Sequence, residues 1–174
     1  MSELPAALQT ILRESFSVRT TLIRRDGTPR TIETTYYWDG ADRIVLSGYP
    51  GKRDWVASIA RNSAVTVHTV EFKPGFDIQA TARVVRERDQ RMQYVLKFIE
   101  RWTLRPGFPR RRFQLFLGSV RLNRSLRLPW WGPFYFARKI LDQMPCVEIT
   151  LTGEPVMRQG EPPPLSEPRD GGPH

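Results

Sequence analysis

Gly48, Pro50, Gly51, Lys52 and Arg53 form a turn in which two cations sit among residues that let a backbone bend sharply. Glycines there allow an anionic ligand to approach the main chain. A helix starting just after the turn adds unpaired N–H groups and the positive pole of its dipole. Asp54 reads as the N-cap of such a helix, and Trp55, Val56, Ile59 and Ala60 mark one helical face. The turn suits a phosphate, and it equally describes a basic loop between two strands. It is not a Walker P-loop, because no Ser or Thr follows Lys52 and the glycine spacing differs.

Little else in the chain supplies chemistry. His68 and Cys146 each stand alone in strand patterns, and His174 ends the chain. A zinc site needs several clustered Cys or His ligands, and a nucleophile needs a base within hydrogen-bond reach. No catalytic residue and no metal site is assigned, and His68 reads as a satisfied sheet residue. Any reaction would fall to a bound cofactor, with the protein supplying position, electrostatics and a dry pocket.

The elements around the turn are mostly strands. Residues 44–47 are a short β-branched apolar run cut off by Gly48. Asn62 is placed to end the helix in a left-handed conformation, and residues 64–69 alternate like a half-buried strand. Upstream, residues 4–13 have helical spacing. Residues 16–24 and 31–38 alternate around Asp26-Gly27, and Asp39-Gly40 makes a second hairpin turn. Downstream, Pro74-Gly75 turns into a strand over 78–86. Asp89 can cap a helix running to Trp102, and residues 146–152 form a last strand. Six strands joined largely by hairpins predict a mainly β domain with helices, a small antiparallel barrel spanning residues 1–153. Residues 154–174 are rich in Pro, Gly and charge and are expected to be a disordered tail.

Residues 27–31 (GTPRT), 34–40 (TTYYWDG), 145–151 (PCVEITL) and above all 46–68 (LSGYPGKRDWVASIARNSAVTVH) are similar to a known family. They resemble the deazaflavin-dependent nitroreductases and quinone reductases, a branch of the flavin-binding split-barrel, pyridoxamine phosphate oxidase-like superfamily. The resemblance implies a six-stranded split barrel holding coenzyme F420 or flavin mononucleotide (FMN). It implies a reductase passing hydride to a quinone, nitro compound or activated alkene. On this resemblance Gly51, Lys52, Arg53 and Asp54 would take the phosphate after the strand that ends at Ser47, with Trp55 packing beneath. Ile32, Glu33 and Thr34 would line the ring edge by their backbone, and Arg30 would reach the anionic side chain. Residues 23–27 lack the first Gly and the Ser of the family's Gly-Arg-Lys-Ser-Gly run, and Glu33 stands where many relatives have Pro. The choice between F420 and FMN stays open. So does a non-enzymatic alternative, a split barrel that carries a flavin, haem or another anionic ligand.

A length of 174 residues makes one domain, long enough to bury about two thirds of its unfolded surface. The single cysteine excludes an internal disulfide, no secretory signal pattern opens the chain, and no apolar run is long enough to span a bilayer. A cytoplasmic location is expected. The net charge of +9 is concentrated in residues 83–139, with 15 Lys/Arg against 3 Asp/Glu. Such a field attracts anionic small molecules, anionic membranes or nucleic acid. Nucleic acid is the weakest candidate, because the arginines follow no binding motif. In residues 126–141, Trp130, Trp131, Phe134, Tyr135 and Phe136 lie between prolines and cations. With Tyr36 and Tyr37 they read as a substrate wall or as core, and residues 126–141 by themselves also read as a lid or as a peripheral contact with an anionic membrane. The expected partner is a small-molecule electron acceptor, and a homodimer stays open.

Overall fold

The computed structural model describes residues 4–48, 50–51, 53–105, 110–129 and 135–166, with the side chains of 110, 112, 113 and 135–137 left aside. A short helix, α1 (Ala6–Glu14), opens the chain. Strands β1 (Ser17–Ile23), β2 (Pro29–Trp38) and β3 (Arg43–Ser47) then form an antiparallel meander. The first hairpin bends at Gly27, whose φ of +84° is a conformation that a side chain resists. Asp26 Oδ1 accepts from the Thr28 N–H at 3.0 Å, fixing the turn that the Asp-Gly pair predicts.

Helix α2 (Asp54–Arg61) leads to β4 (Ala64–Thr69) and β5 (Gly75–Val84). Helices α3 (Arg88–Trp102), α4 (Arg110–Ser125) and α5 (Tyr135–Leu141) intervene before β6 (Cys146–Leu151) and β7 (Val156–Arg158). The sheet runs β4-β1-β2-β3-β6-β5 and closes through β4–β5 pairing, which is the expected six-stranded antiparallel barrel. β7 adds a seventh strand, continuing along the edge of β5 that β6 has left.

Alternation explains the closed wall. Val18, Thr20 and Leu22 of β1 point inward, as do Tyr36 and Trp38 of β2 and Ile44 and Leu46 of β3. α1 adds Leu8, Ile11 and Leu12 to that cluster, and α2 adds Trp55 and Ile59. β3 and β6 are buried on both faces, so they read as apolar runs rather than alternating ones. Their outer face meets the helices, with Val45, Val85 and Cys146 packing beside Tyr37 and Tyr94. A second core joins Met92, Val95, Leu96, Phe98 and Ile99 of α3 to Leu117 and Val120 of α4 and to Leu141 of α5.

A buried carboxylate pins this helical layer to the barrel. Glu148, 5% exposed, accepts from Arg83 Nε at 2.7 Å and from the Tyr94 hydroxyl, and Arg43 Nη1 lies 3.6 Å away. Burial alone would raise its pKa. The hydrogen bonds from Arg83 and Tyr94 and the two guanidinium charges outweigh burial and hold the carboxyl below the usual range.

Four local expectations are corrected. Asp54 is the first residue of α2 rather than its cap, and Arg53 occupies the cap position in extended backbone. Asn62 is extended (φ −135°), because β4 starts two residues later, and its Oδ1 accepts from the Ala64 N–H at 3.0 Å. α3 is capped by Glu87, which receives the N–H groups of Asp89 and Gln90, so Asp89 lies inside the helix. Residues 154–166 are not a loose tail. Arg158 binds the Asp77 carboxylate and donates to Thr69 O at 2.8 Å, Arg19 Nη1 donates to Pro163 O at 2.9 Å, and Ser166 reaches β2. They form a strap across the outside of β5, β4, β1 and β2. Residues 167–174 lie outside the described residues.

Candidate functional site

β3 ends at Ser47, and the chain turns away where β2 still has residues to pair. β2 bonds to β3 only through residues 36–38, while it bonds to β1 from 29 to 35. The Tyr36 N–H donates to Phe16 O on the β1 side, and alternate residues of a strand face the same neighbour. The backbone groups of Thr31 and Glu33 therefore face the gap that β3 leaves. At Thr31 the strap fills it: the Thr31 N–H donates to Ser166 Oγ at 2.9 Å, and the Ser166 N–H donates to Thr31 O at 3.0 Å. At Glu33 no strand stands opposite among the described residues.

The turn beyond Ser47 is held from behind by the segment before β6. Ser47 Oγ donates to Pro145 O at 2.9 Å, and the Gly51 N–H donates to Gln143 O at 3.0 Å. Gly51 has φ +116°, and nothing stands within 4 Å of where its Cβ would be. Its outer surface is thus backbone that a ligand can approach closely. The first turn of α2 follows with no side-chain cap, and Arg53 and Asp54 are exposed on it. Lys52 and Tyr49 lie outside the described residues.

A third feature lies on the β1–β2 hairpin. Leu22 faces Arg30 across the strands, and Arg24 follows Leu22 on the same face, its N–H donating to Thr28 O at 2.9 Å. Arg24 Nε and Arg30 Nε are both buried and have no hydrogen-bond partner among the described residues. Nε of Arg43, Arg91 and Arg101 is unmatched too, but those side chains have partners on their other nitrogens, whereas Arg24 and Arg30 have none among the described residues, so this face suits an anion. The inward hydroxyls of Thr20 and Thr34 also lack partners among the described residues. Arg24 carried no assignment in the sequence, where its hairpin stood out only as a departure from a family pattern.

The other expected site residues are placed as follows. Ile32 packs on the barrel core, Trp55 is 7% exposed within it, and Thr34 is half-buried. The Glu33 carboxylate turns to Arg19 Nε at 2.9 Å, so only its backbone faces the gap. The Ser47 hydroxyl is engaged by Pro145 and serves the turn rather than the surface. Tyr36 is not a substrate wall: it is 1% exposed in the core, its hydroxyl donates to Leu12 O at 2.8 Å, and burial pushes its pKa far up. Trp130, Trp131 and Phe134 lie outside the described residues. A cleft of about 610 Å³ is lined by Tyr37, Lys97, Arg101 and Leu117 between α3, α4 and the barrel, away from the turn.

His68 is 5% exposed, with Nδ1 2.9 Å from Asp77 Oδ1 and Nε2 2.9 Å from Thr21 Oγ1, the satisfied sheet residue expected. No group of three or more His, Cys, Asp or Glu among the described residues could hold a metal ion. No helix among them is long and apolar enough to cross a membrane.

A closed six-stranded barrel whose third strand stops short at a basic turn defines a split barrel. Residues 4–116 match the pyridoxamine 5′-phosphate oxidase family, and the chain belongs to that family. Solved structures share the fold at low identity. The conserved hypothetical protein Rv2991 from Mycobacterium tuberculosis is 17% identical with a TM-score of 0.58, covering 98% of this chain and 95% of its own. An F420 reductase is 16% identical with a TM-score of 0.56, covering 86% and 97%. HutZ, the heme storage protein of Vibrio cholerae, is 9% identical with a TM-score of 0.57, covering 90% and 95%. No curated protein sequence matches the chain significantly.

Proposed function

We propose that the chain is an oxidoreductase that binds a phosphate-bearing flavin or deazaflavin, FMN or coenzyme F420, between the basic turn and the open edge of β2. The observation that carries this is that Arg24 and Arg30, on one face of the hairpin beside that edge, each bury an Nε with no partner among the described residues. The Gly51 backbone, Lys52, Arg53 and the first turn of α2 would hold the phosphate, over Trp55. Arg24 and Arg30 would take the ligand's further anionic or carbonyl oxygens, and the backbone of Glu33 would meet the ring edge. When bound, such a ring passes a hydride to an acceptor, here of the quinone, nitro or activated-alkene class. The protein need supply no acid, base or nucleophile for that step. Membership of the pyridoxamine 5′-phosphate oxidase family and the fold shared with an F420 reductase support the reading.

A carrier without turnover is the second reading, favoured by the fold shared with a heme storage protein. An iron ligand is harder to find. Both nitrogens of His68 are engaged, and the other histidine, His174, lies outside the described residues.

Titration of the purified protein with FMN and with F420, followed by turnover with a quinone, separates the readings. Arg30→Ala and Arg53→Ala should each weaken the preferred cofactor by about tenfold to a hundredfold, the loss of one charge-assisted hydrogen bond. Unchanged affinity for both cofactors in both variants overturns the site. Tight binding with no turnover on any acceptor class establishes the carrier.

A further inference from the structure

The helical layer carries a surface that the proposed reduction does not use. α4 turns Leu117 and Val120 toward α3, yet Leu115, Leu122 and Leu126 are 75%, 59% and 59% exposed. At 3.6 residues per turn, positions 115, 122 and 126 fall on one ridge, opposite the buried pair. Gly118 and Ser119 lie along the same ridge, so no large side chain interrupts it. Leu128 and Ile140 are exposed as well. Of ten large apolar side chains exposed among the described residues, Leu115, Leu122 and Leu126 lie on this one ridge, which makes it an apolar stripe rather than scatter.

The charge around the patch is of one sign. Residues 104–141 hold nine Lys/Arg and no Asp/Glu. Arg111, Arg124, Arg127 and Lys139 are exposed, whereas Arg121 is committed to Glu100 of α3. A second copy placed against this face would bring the same cations together, which opposes association. Nucleic acid would satisfy the cations and leave the leucines in water. An anionic bilayer offers both halves of the match, apolar matter for the ridge and negative headgroups for the arginines.

We propose that α4 and residues 126–129 dock the protein on an anionic membrane surface, with Leu115, Leu122 and Leu126 entering the headgroup boundary. The contact is peripheral, and the proposal is independent of the cofactor reading.

Co-sedimentation of the full chain with vesicles tests it. The protein should pellet with phosphatidylglycerol-containing vesicles, fail to pellet with pure phosphatidylcholine, and be released by salt. Leu115→Glu/Leu122→Glu alters outward side chains, should keep the melting temperature, and should weaken vesicle binding at least tenfold. Arg111→Gln/Arg127→Gln should bind less tightly and with a shallower salt dependence. Should the leucine variant misfold, amide exchange on wild-type protein decides: anionic vesicles should slow exchange in residues 110–129, and an unaltered rate there overturns the proposal. Failure to bind anionic vesicles, equal binding to neutral ones, or full binding by a folded leucine variant overturns it as well. A dimer that the leucine variant converts to monomer, without vesicle binding, assigns the ridge to a second copy. Salt-sensitive capture of single-stranded nucleic acid that survives the leucine changes, without vesicle binding, assigns the arginines to nucleic acid.

Discussion

Ser166 closes the backbone of Thr31, giving its hydroxyl oxygen to the Thr31 N–H and its own N–H to the Thr31 carbonyl, 135 residues away along the chain. The bond pair ends a strap that also binds Asp77 and Arg19. Ser166→Ala removes one partner of a half-buried N–H and should cost about 1 kcal/mol. That is a fall of roughly 2–4 °C in melting temperature for a chain of this size. Truncation after Thr152 removes Arg158 and the whole strap, and should lower the melting temperature of the cofactor-free protein at least twice as far. An unchanged melt of the truncated chain would show that the strap only rests on the barrel.

α4 ends in a Schellman motif. The Leu128 N–H donates to Asn123 O at 2.8 Å and the Arg127 N–H to Arg124 O at 3.1 Å, with Arg127 at φ +57°. An L side chain in that conformation costs about 1 kcal/mol that glycine does not. Arg127→Gly should therefore raise stability by up to about 1 kcal/mol, read from urea denaturation at unchanged slope. A lower midpoint would mean that the Arg127 side chain contributes more than its backbone costs.

Glu148 makes the fold acid-sensitive in a defined direction. Its folded pKa lies below the unfolded carboxylate value near 4.3, so its stabilisation is complete above that value and is lost as pH falls through the folded one. Glu148→Gln should lose about 2 kcal/mol at neutral pH, since the partners Arg83 and Arg43 are half-exposed and can return to water. The difference between variant and wild type should shrink below pH 4. A constant difference down to pH 2 would exclude Glu148 as the titrating group.

Cys146 is 1% exposed, and burial pushes its thiol up to about 12. The thiolate is the reactive form, so the native protein should resist an aromatic disulfide reagent at pH 8 and react only after unfolding in guanidinium. Rapid labelling of the native protein would show that β6 opens beneath the helices.

The barrel could be read from the sequence because its determinants are local. The hairpin turns name themselves as Asp-Gly pairs, and Val18, Thr20 and Leu22 alternate with surface residues. The strap could not be read by the same logic. Its composition has little to bury, and it is held by backbone and polar bonds to Thr31, Arg19 and Asp77, which no periodicity reports. α4 was hidden for a different reason: leucines lie on both its faces and arginines open it, so no single apolar stripe stands out. At the site, the turn and its glycines were legible as a phosphate-sized feature. Tyr36 was not placeable, because only the register Tyr36↔Leu46 decides which of two adjacent tyrosines faces inward. Arg24 drew no notice because a buried, unmatched nitrogen is a property of the fold.

The early end of β3 has one more effect. A strand edge without a neighbour is a template onto which another chain can add, and natural sheets blunt such edges. Here the strap takes the step at Thr31, and Pro162, Pro163 and Pro164 precede Ser166, three residues with no N–H to extend a ladder. The strap thus occupies the edge at Thr31 and leaves only the backbone of Glu33 with no strand opposite among the described residues. A chain lacking the strap should bare a longer edge and grow edge to edge at concentrations where the intact protein stays dispersed.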